Sequence, residues 1–198
     1  FQQILKKYNL VDVIQFLHYS SSYFEGNNSE LGALGYSRDS QPSKKQLTFG
    51  ISTGMNGIPS ALTVQKGNVQ DKEHMNFMLK VVGKVLEKGS LVIFDCGGNT
   101  EDNKAKILLM ELNYLTLKQR YKGTYKKYIE LYKSSPKEVF YINGIKYKCV
   151  KVKDENVKYI FHSKKLYKKL HKTRNKRFQR DLLNGDKLLS KINKGKSI

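Results

Sequence analysis

Acidic residues are scarce in this chain of 198 residues: 17 Asp and Glu stand against 37 Lys and Arg, a formal net charge of +20. Cysteine is scarcer. Cys96 and Cys149 lie far apart with no Cys-x-x-Cys partner, which excludes a disulfide-rich secreted scaffold and a zinc site of the usual spacing. No apolar run approaches the ~18 residues of a membrane span, and no charged-then-apolar leader with a cleavage site is visible at the start. The phosphate-cradling Gly-rich loop, the dinucleotide fingerprint and the nucleophile elbow are all missing. Thirteen Tyr and nine Phe exclude wholesale disorder, although mean hydropathy is −0.57. The expectation is a soluble, strongly basic protein of a reducing compartment. The chain opens with Phe1 rather than Met and stops at Ile198 without an obvious closing element, which suggests a fragment or an interrupted reading frame.

The charge is segregated. Residues 1–100 hold 10 Lys and Arg against 8 Asp and Glu, a net of +2; residues 101–198 hold 27 against 9, a net of +18. The first half reads as an ordinary globular core, the second as a surface built to meet a polyanion. Nucleic acid is the usual partner for that footprint, because each neutralised phosphate releases condensed counterions. An anionic membrane surface is the rival and requires a continuous apolar face opposite the charges. The plainest alternative is a solvated lysine-rich surface from an AT-rich genome.

Periodicity gives the elements. Residues 11–19 read as a buried strand, 20–45 as a polar loop containing Pro42, and 46–54 as a second strand. Asn56-Gly57 signals a hairpin into a third strand over 58–65. A helix capped by Asp71 carries Met75, Met78, Leu79, Val82, Val85 and Leu86 on one face and stops at Gly89. The apolar run 90–94 suits a parallel strand covered on both faces. Thr100 caps a further helix with Ala105, Leu108, Leu109 and Leu112 inward. Residues 139–161 read as two or three antiparallel strands, with turns at Asn143-Gly144 and Asp154-Glu155-Asn156. Residues 163–183 form a basic helix whose apolar stripe (Leu166, Leu170, Phe178, Leu182) is broken, which weakens the membrane alternative.

The chemistry-bearing candidates are few. Asp95 ends the apolar strand and begins a Gly pair, the place where sites collect in open α/β sheets. A carboxylate there suits Mg²⁺, a hard cation wanting oxygen; the plainer alternative is a cap for the next turn. Glu25, Glu30 and Asp39 lie in the polar loop, where acids ordinarily face solvent. His18 sits inside a strand, where a lone histidine is commonly a hydrogen-bonded core residue. His74, His162 and His171 look isolated and exposed. Tyr121, Tyr125, Tyr128, Tyr132, Tyr147, Tyr159 and Tyr167 interleave with lysine and either meet nucleic acid or fill a thin local core.

A series of short strings carries a resemblance. Ser20–Gly26 (SSSYFEG), Gly35-Tyr36-Ser37-Arg38-Asp39, Gln46 with Gly50, Gly57-Ile58-Pro59, and Gly67-Asn68 with Asp71 follow in order. Asp95-Cys96-Gly97 with Asn103 comes after them. Together these resemble the catalytic core of prokaryotic DDE transposases of the insertion-sequence-four class, over residues 11–120. The resemblance implies an α/β fold: a ribonuclease-H-like mixed sheet with helices (1–120), a β-rich insertion (121–162) and a basic C-terminal helical segment (163–198). It implies DNA strand cleavage and transfer in DNA transposition, with Mg²⁺ held by three carboxylates. Its implied partners are transposon ends and target DNA, engaged by a homodimer in a synaptic complex, with no membrane, in the cytoplasm at the nucleoid. Residue by residue, Asp95 matches the second acid and a metal ligand. His18 stands where the family has its first Asp, seven residues before Glu25. The third acid belongs beyond the insertion, and the chain is expected to stop before it. Arg38, Lys164, Lys165, Lys168, Lys169, Lys172, Arg174 and Arg177 are the candidate DNA contacts. A neutral imidazole is a poor substitute for a carboxylate around Mg²⁺. The expected protein is therefore a catalytically impaired transposase core, or a non-catalytic basic DNA-binding protein derived from one.

Overall fold

The computed structural model describes residues 1–26, 28–36, 41, 43–119, 123, 125–153 and 156–193, with the side chains of 166, 191 and 193 left aside. Two compact units divide it, Phe1–Gln119 and Arg120–Ile198.

The first unit is built on a five-stranded sheet: β1 (Ile14–Tyr23), β2 (Gln46–Gly54), β3 (Pro59–Lys66), β4 (Leu91–Phe94) and β5 (Asn113–Thr116), in the order β3-β2-β1-β4-β5. β1 is antiparallel to β2 and parallel to β4; β2 is antiparallel to β3, and β4 parallel to β5. This order and these directions are those of a ribonuclease-H-like mixed sheet. The Asn56-Gly57 turn closes the β2–β3 hairpin, with Gly57 at φ 76. Three helices complete the unit: α1 (Gln2–Lys7), α2 (Asp71–Val82) and α3 (Glu101–Leu109). Parallel pairing of β1 with β4 demands a crossover, and α2 lies within it.

Helices α2 and α3 share one core with a single face of the sheet. Met75, Met78, Leu79 and Val82 of α2 meet Leu17 and Tyr19 of β1, Val92 and Phe94 of β4, and Ile107 of α3. The alternate residues point away: Phe16, Leu62, Val64 and Leu115 are 41–65% exposed. The core face of β2 is small or polar, with Gln46, Thr48, Gly50 and Ser52 all buried. Those groups are satisfied internally: Ser52 and Ser60 hydroxyls donate to Gln15 Oε1 at 2.8 and 2.6 Å, and the Gln46 amide donates to the Gly67 carbonyl at 2.9 Å.

The second unit holds α4 (Tyr125–Ser134), a three-stranded antiparallel sheet of β6 (Glu138–Ile142), β7 (Ile145–Lys153) and β8 (Val157–Ser163), and the 30-residue α5 (Lys164–Asn193). Asn143 (φ 48) and Gly144 (φ 71) make the two-residue β6–β7 turn. Phe140 stacks on Tyr147 and meets Phe161 edge-on around the buried Cys149.

Several sequence expectations need correction. β1 runs on through Ser20–Tyr23, past the strand end expected at residue 19, because those residues pair with Gln46–Phe49. α2 ends at Val82, not near Gly89: Gly83 is its C-cap, and a Cβ there would lie 2.1 Å from Met110. Gln70, not Asp71, is its N-cap residue. α3 buries Asn103 and Ile107, while Leu108 and Leu109 are 55% and 83% exposed. The Asn103 amide donates to the Gly98 and Lys72 carbonyls, and this anchor sets the inward face. The basic helix extends to Asn193. The expected turn residues Asp154 and Glu155 lie outside the described residues.

His74 is buried against expectation, with Nε2 2.8 Å from Thr63 Oγ1 and its ring 5.2 Å from Tyr19. Burial holds its imidazole below the ordinary value, outweighing the nearby Asp71 charge. The folded state therefore takes up its proton at lower pH than the unfolded chain does. This contribution is complete above the unfolded value near ~6.5 and fades as pH falls through the folded one. Urea titrations should give a lower midpoint at pH 5.5 than at pH 7.5, and the drop should shrink in His74→Gln.

Candidate functional site

Strand register decides which candidates meet. β1 and β4 pair in parallel from Ile14 opposite Leu91 to Leu17 opposite Phe94. One residue further along the two strands stand His18 and Asp95. Leu17 and Phe94, each 4% exposed, face the core; alternation turns His18 to the open face of the sheet, while Asp95 lies just past β4 and is exposed there. His18 lies midway along β1, whereas Asp95 directly follows the last residue of β4. No hydrogen bond or ion pair joins them among the described residues.

Asp95 is held by its own turn. Its Oδ1 accepts the Gly97 N–H at 2.8 Å, capping a single 3₁₀ turn over Cys96–Gly98. Its carbonyl accepts the Thr116 hydroxyl at 3.1 Å, and the Asn99 amide donates to the Leu117 carbonyl at 2.8 Å, tying the turn to the end of β5. The capping role and the strand-end position are thus both present.

A second carboxylate approaches this turn from α2. A Cβ on Gly97 would lie 2.6 Å from Asp71 Oδ2, so the turn closes against the Asp71 side chain and a larger residue would push that carboxylate aside. The buried Tyr19 records the same convergence. Its phenol is pushed far up, first by burial and then by the charges of Asp71 and Asp95. Sequence reading treated Asp71 as a cap. Its nearness to the Asp95 turn depends on the β1–β4 crossover and has no local signal in the chain.

This donor set does not fit a Mg²⁺ cage. Mg²⁺ wants near-octahedral oxygen ligation. Here one Asp95 oxygen is engaged by a backbone N–H, and His18 offers an imidazole nitrogen in place of a carboxylate. Among the described residues no group of three His, Cys, Asp or Glu converges as a metal site.

Glu25 pairs with Lys44 at 2.6 Å, and that hydrogen bond, with the Lys44 charge, holds its carboxyl below the usual range. Lys44 also sits over the Tyr23 ring at 4.7 Å. Glu30 is exposed. Arg38 and Asp39 lie outside the described residues. The other candidate DNA contacts, Lys164, Lys165, Lys168, Lys169, Lys172, Arg174 and Arg177, all lie on α5 and all are exposed. None belongs to the unit that carries His18 and Asp95. Among the described residues no helix is long and apolar enough to cross a membrane.

No family model and no curated protein matches the chain. Among solved structures it is similar to the cryo-EM structure of a piggyBac transposase synaptic complex with hairpin DNA, at 11% identity and a TM-score of 0.45, covering 76% of this chain and 33% of that one. The chain thus spans about a third of the length of that protein.

The cap on Asp95 is directly testable. Asp95→Ala should lower stability by about 0.5–2 kcal/mol, the usual cost of a lost capping oxygen, while Asp95→Asn, which keeps an acceptor, should cost much less. Equal losses in chemical denaturation would show that the Gly97 hydrogen bond is not what the carboxylate contributes.

Proposed function

We propose that this protein is a DDE-transposase-type core, of the insertion-sequence-four class, whose cation site is impaired at position 18 and whose basic second unit binds DNA. The observation that supports the reading is the parallel pairing of β1, which carries position 18, with β4, which leads into position 95, the two places where the resembling family keeps its first and second acids. Charge segregation supports the second half of the reading. The second unit bears 24 Lys and Arg against six Asp and Glu, a net of +18, whereas the first bears +2. In this reading Mg²⁺ belongs to the ancestral site, and His18 is the substitution that weakened it. DNA binding then outlasts cleavage, because a polyanion-binding surface needs only charge and reach, while a metal cage needs every ligand. A non-catalytic DNA-binding protein is the limiting form of the same proposal, favoured by the imidazole at position 18.

Two measurements test it. The purified chain should show no Mg²⁺-dependent plasmid nicking. His18→Asp should raise Mn²⁺ affinity at least tenfold by water-proton relaxation, and Asp95→Ala should abolish that gain. An unchanged affinity in His18→Asp would remove the cation-site argument. DNA binding should weaken steeply with salt, and charge reversal at Lys164, Lys165, Lys168 and Lys169 should lower affinity across all sequences alike, as phosphate contacts do. Affinity indifferent to that reversal would count against α5 as the DNA surface.

A further inference from the structure

We propose that α5 is a reading helix for the major groove of duplex DNA, with Tyr167, His171, Asn175 and Gln179 directed at base edges and Lys168, Lys172, Lys176 and Arg180 gripping one phosphate strand beside them. The inference rests on the proposed DNA-binding role of the second unit and deepens it, from a charged surface to a sequence-reading one.

The argument starts from spacing. Residues four apart on a helix are surface neighbours, about 6 Å apart along the axis and about 40° apart around it, so a row of four winds slowly round the helix as a groove does round the duplex. Lys168, Lys172, Lys176 and Arg180 follow that step, and so do Tyr167, His171, Asn175 and Gln179, giving two adjacent ladders. Every one of these side chains is exposed on α5. The first three members of the second ladder touch one another. Tyr167 and His171 rings lie 6.0 Å apart, and Asn175 Nδ2 is 3.4 Å from His171 Nδ1.

The chemistry of the two ladders differs in the way a groove requires. Cations in register with a strand supply affinity without sequence information. Amides and imidazoles are expensive choices for a surface that needs only charge, but they read base edges: Asn and Gln pair bidentately with adenine N6 and N7, and His donates or accepts at purine N7. A bare helix fits the ~12 Å width of the major groove. From Lys164 to Arg180 the helix carries nine cations and no acid; beyond it Asp181 and Asp186 appear among leucines. The grip therefore ends near Arg180. The reading ladder from residue 167 to 179 spans about 18 Å, or roughly five base pairs.

Selection from a duplex library with ten randomised base pairs, using the full chain, tests this. The wild type should enrich a motif of about five base pairs containing adenines. Asn175→Ala with Gln179→Ala should flatten the motif and leave the salt dependence unchanged. Asn175→Gln with Gln179→Asn keeps both amides but alters their reach, so it should shift the motif rather than erase it. Replacing Lys168, Lys172, Lys176 and Arg180 by Ala should reduce the slope of log affinity against log salt by about 3–4 and keep whatever motif is left. Circular dichroism at equal helicity guards against unfolding, and the amide exchange answers the question if the alanine pair unfolds. Salt-dependent binding with no motif, a motif indifferent to residues 175 and 179, or a preference for single strands would overturn this inference and leave the DNA-binding role standing. No salt-dependent binding to any duplex would overturn both.

Discussion

The first unit depends on one change of strand direction. β1 is antiparallel to β2 on one side and parallel to β4 on the other, and the rest of the unit follows from that switch. Antiparallel neighbours need only a turn, so β2 and β3 join through Asn56-Gly57. A parallel neighbour needs a long return path, and α2 lies on it. Because α2 and α3 share one core with one sheet face, the alternation of β1 sorts its residues into two sets. Gln15, Leu17, Tyr19 and Ser21 are buried, while Phe16 and His18 are exposed. The open positions at the switch point are the place where a ligand has access to both strand ends.

The buried side of the same strands is more polar than a core of this size requires. Gln15 accepts from Ser52 and Ser60, Gln46 donates to the Gly67 carbonyl, and Thr63 bonds His74. Small residues permit these contacts. A Cβ on Gly35 would lie 2.1 Å from the Gly67 carbonyl oxygen, and one on Gly67 would lie 2.0 Å from that of Gln46. The strand ends and the Ala33–Gln46 bridge are therefore locked by close backbone approach, not by apolar bulk. A network of this kind specifies one register, since a one-residue slip would strand every buried polar group at once.

What the sequence disclosed follows from how local each signal is. Asn56-Gly57, Asn143-Gly144, the Thr100 cap and the apolar run before Asp95 are decided within a few residues, and they were legible. β5 (NYLT) was not, because its strand character comes from pairing with β4 rather than from its own pattern. α4 escaped because its Tyr and Lys residues fit strand and helix patterns equally well, and no residue of it is buried to mark a face. The inward face of α3 was misread because a buried amide, Asn103, outranks two leucines in setting it. At the candidate site the adjacency of β1 and β4 follows from their apolar character. The approach of Asp71 through Gly97 could not be anticipated, since it exists only once the crossover has closed.

The chemistry of α5 also explains why its charge is informative. Lys164, Lys168, Lys172 and Lys176 repeat at i,i+4 with no acid among them, and each such pair destabilises an isolated helix by about 0.2–0.5 kcal/mol. Lys, Leu, Arg and Gln have high intrinsic helix propensity and offset that repulsion, though Gly185 costs about 1 kcal/mol against it. The balance makes the N-terminal half of α5 a helix under electrostatic load. Whatever screens its cations stabilises it. Simple salt does so weakly and a polyanion strongly, because binding to the folded form alone adds directly to its stability. On the proposed reading, in which α5 meets DNA, ordering of this half of the helix and binding reinforce each other.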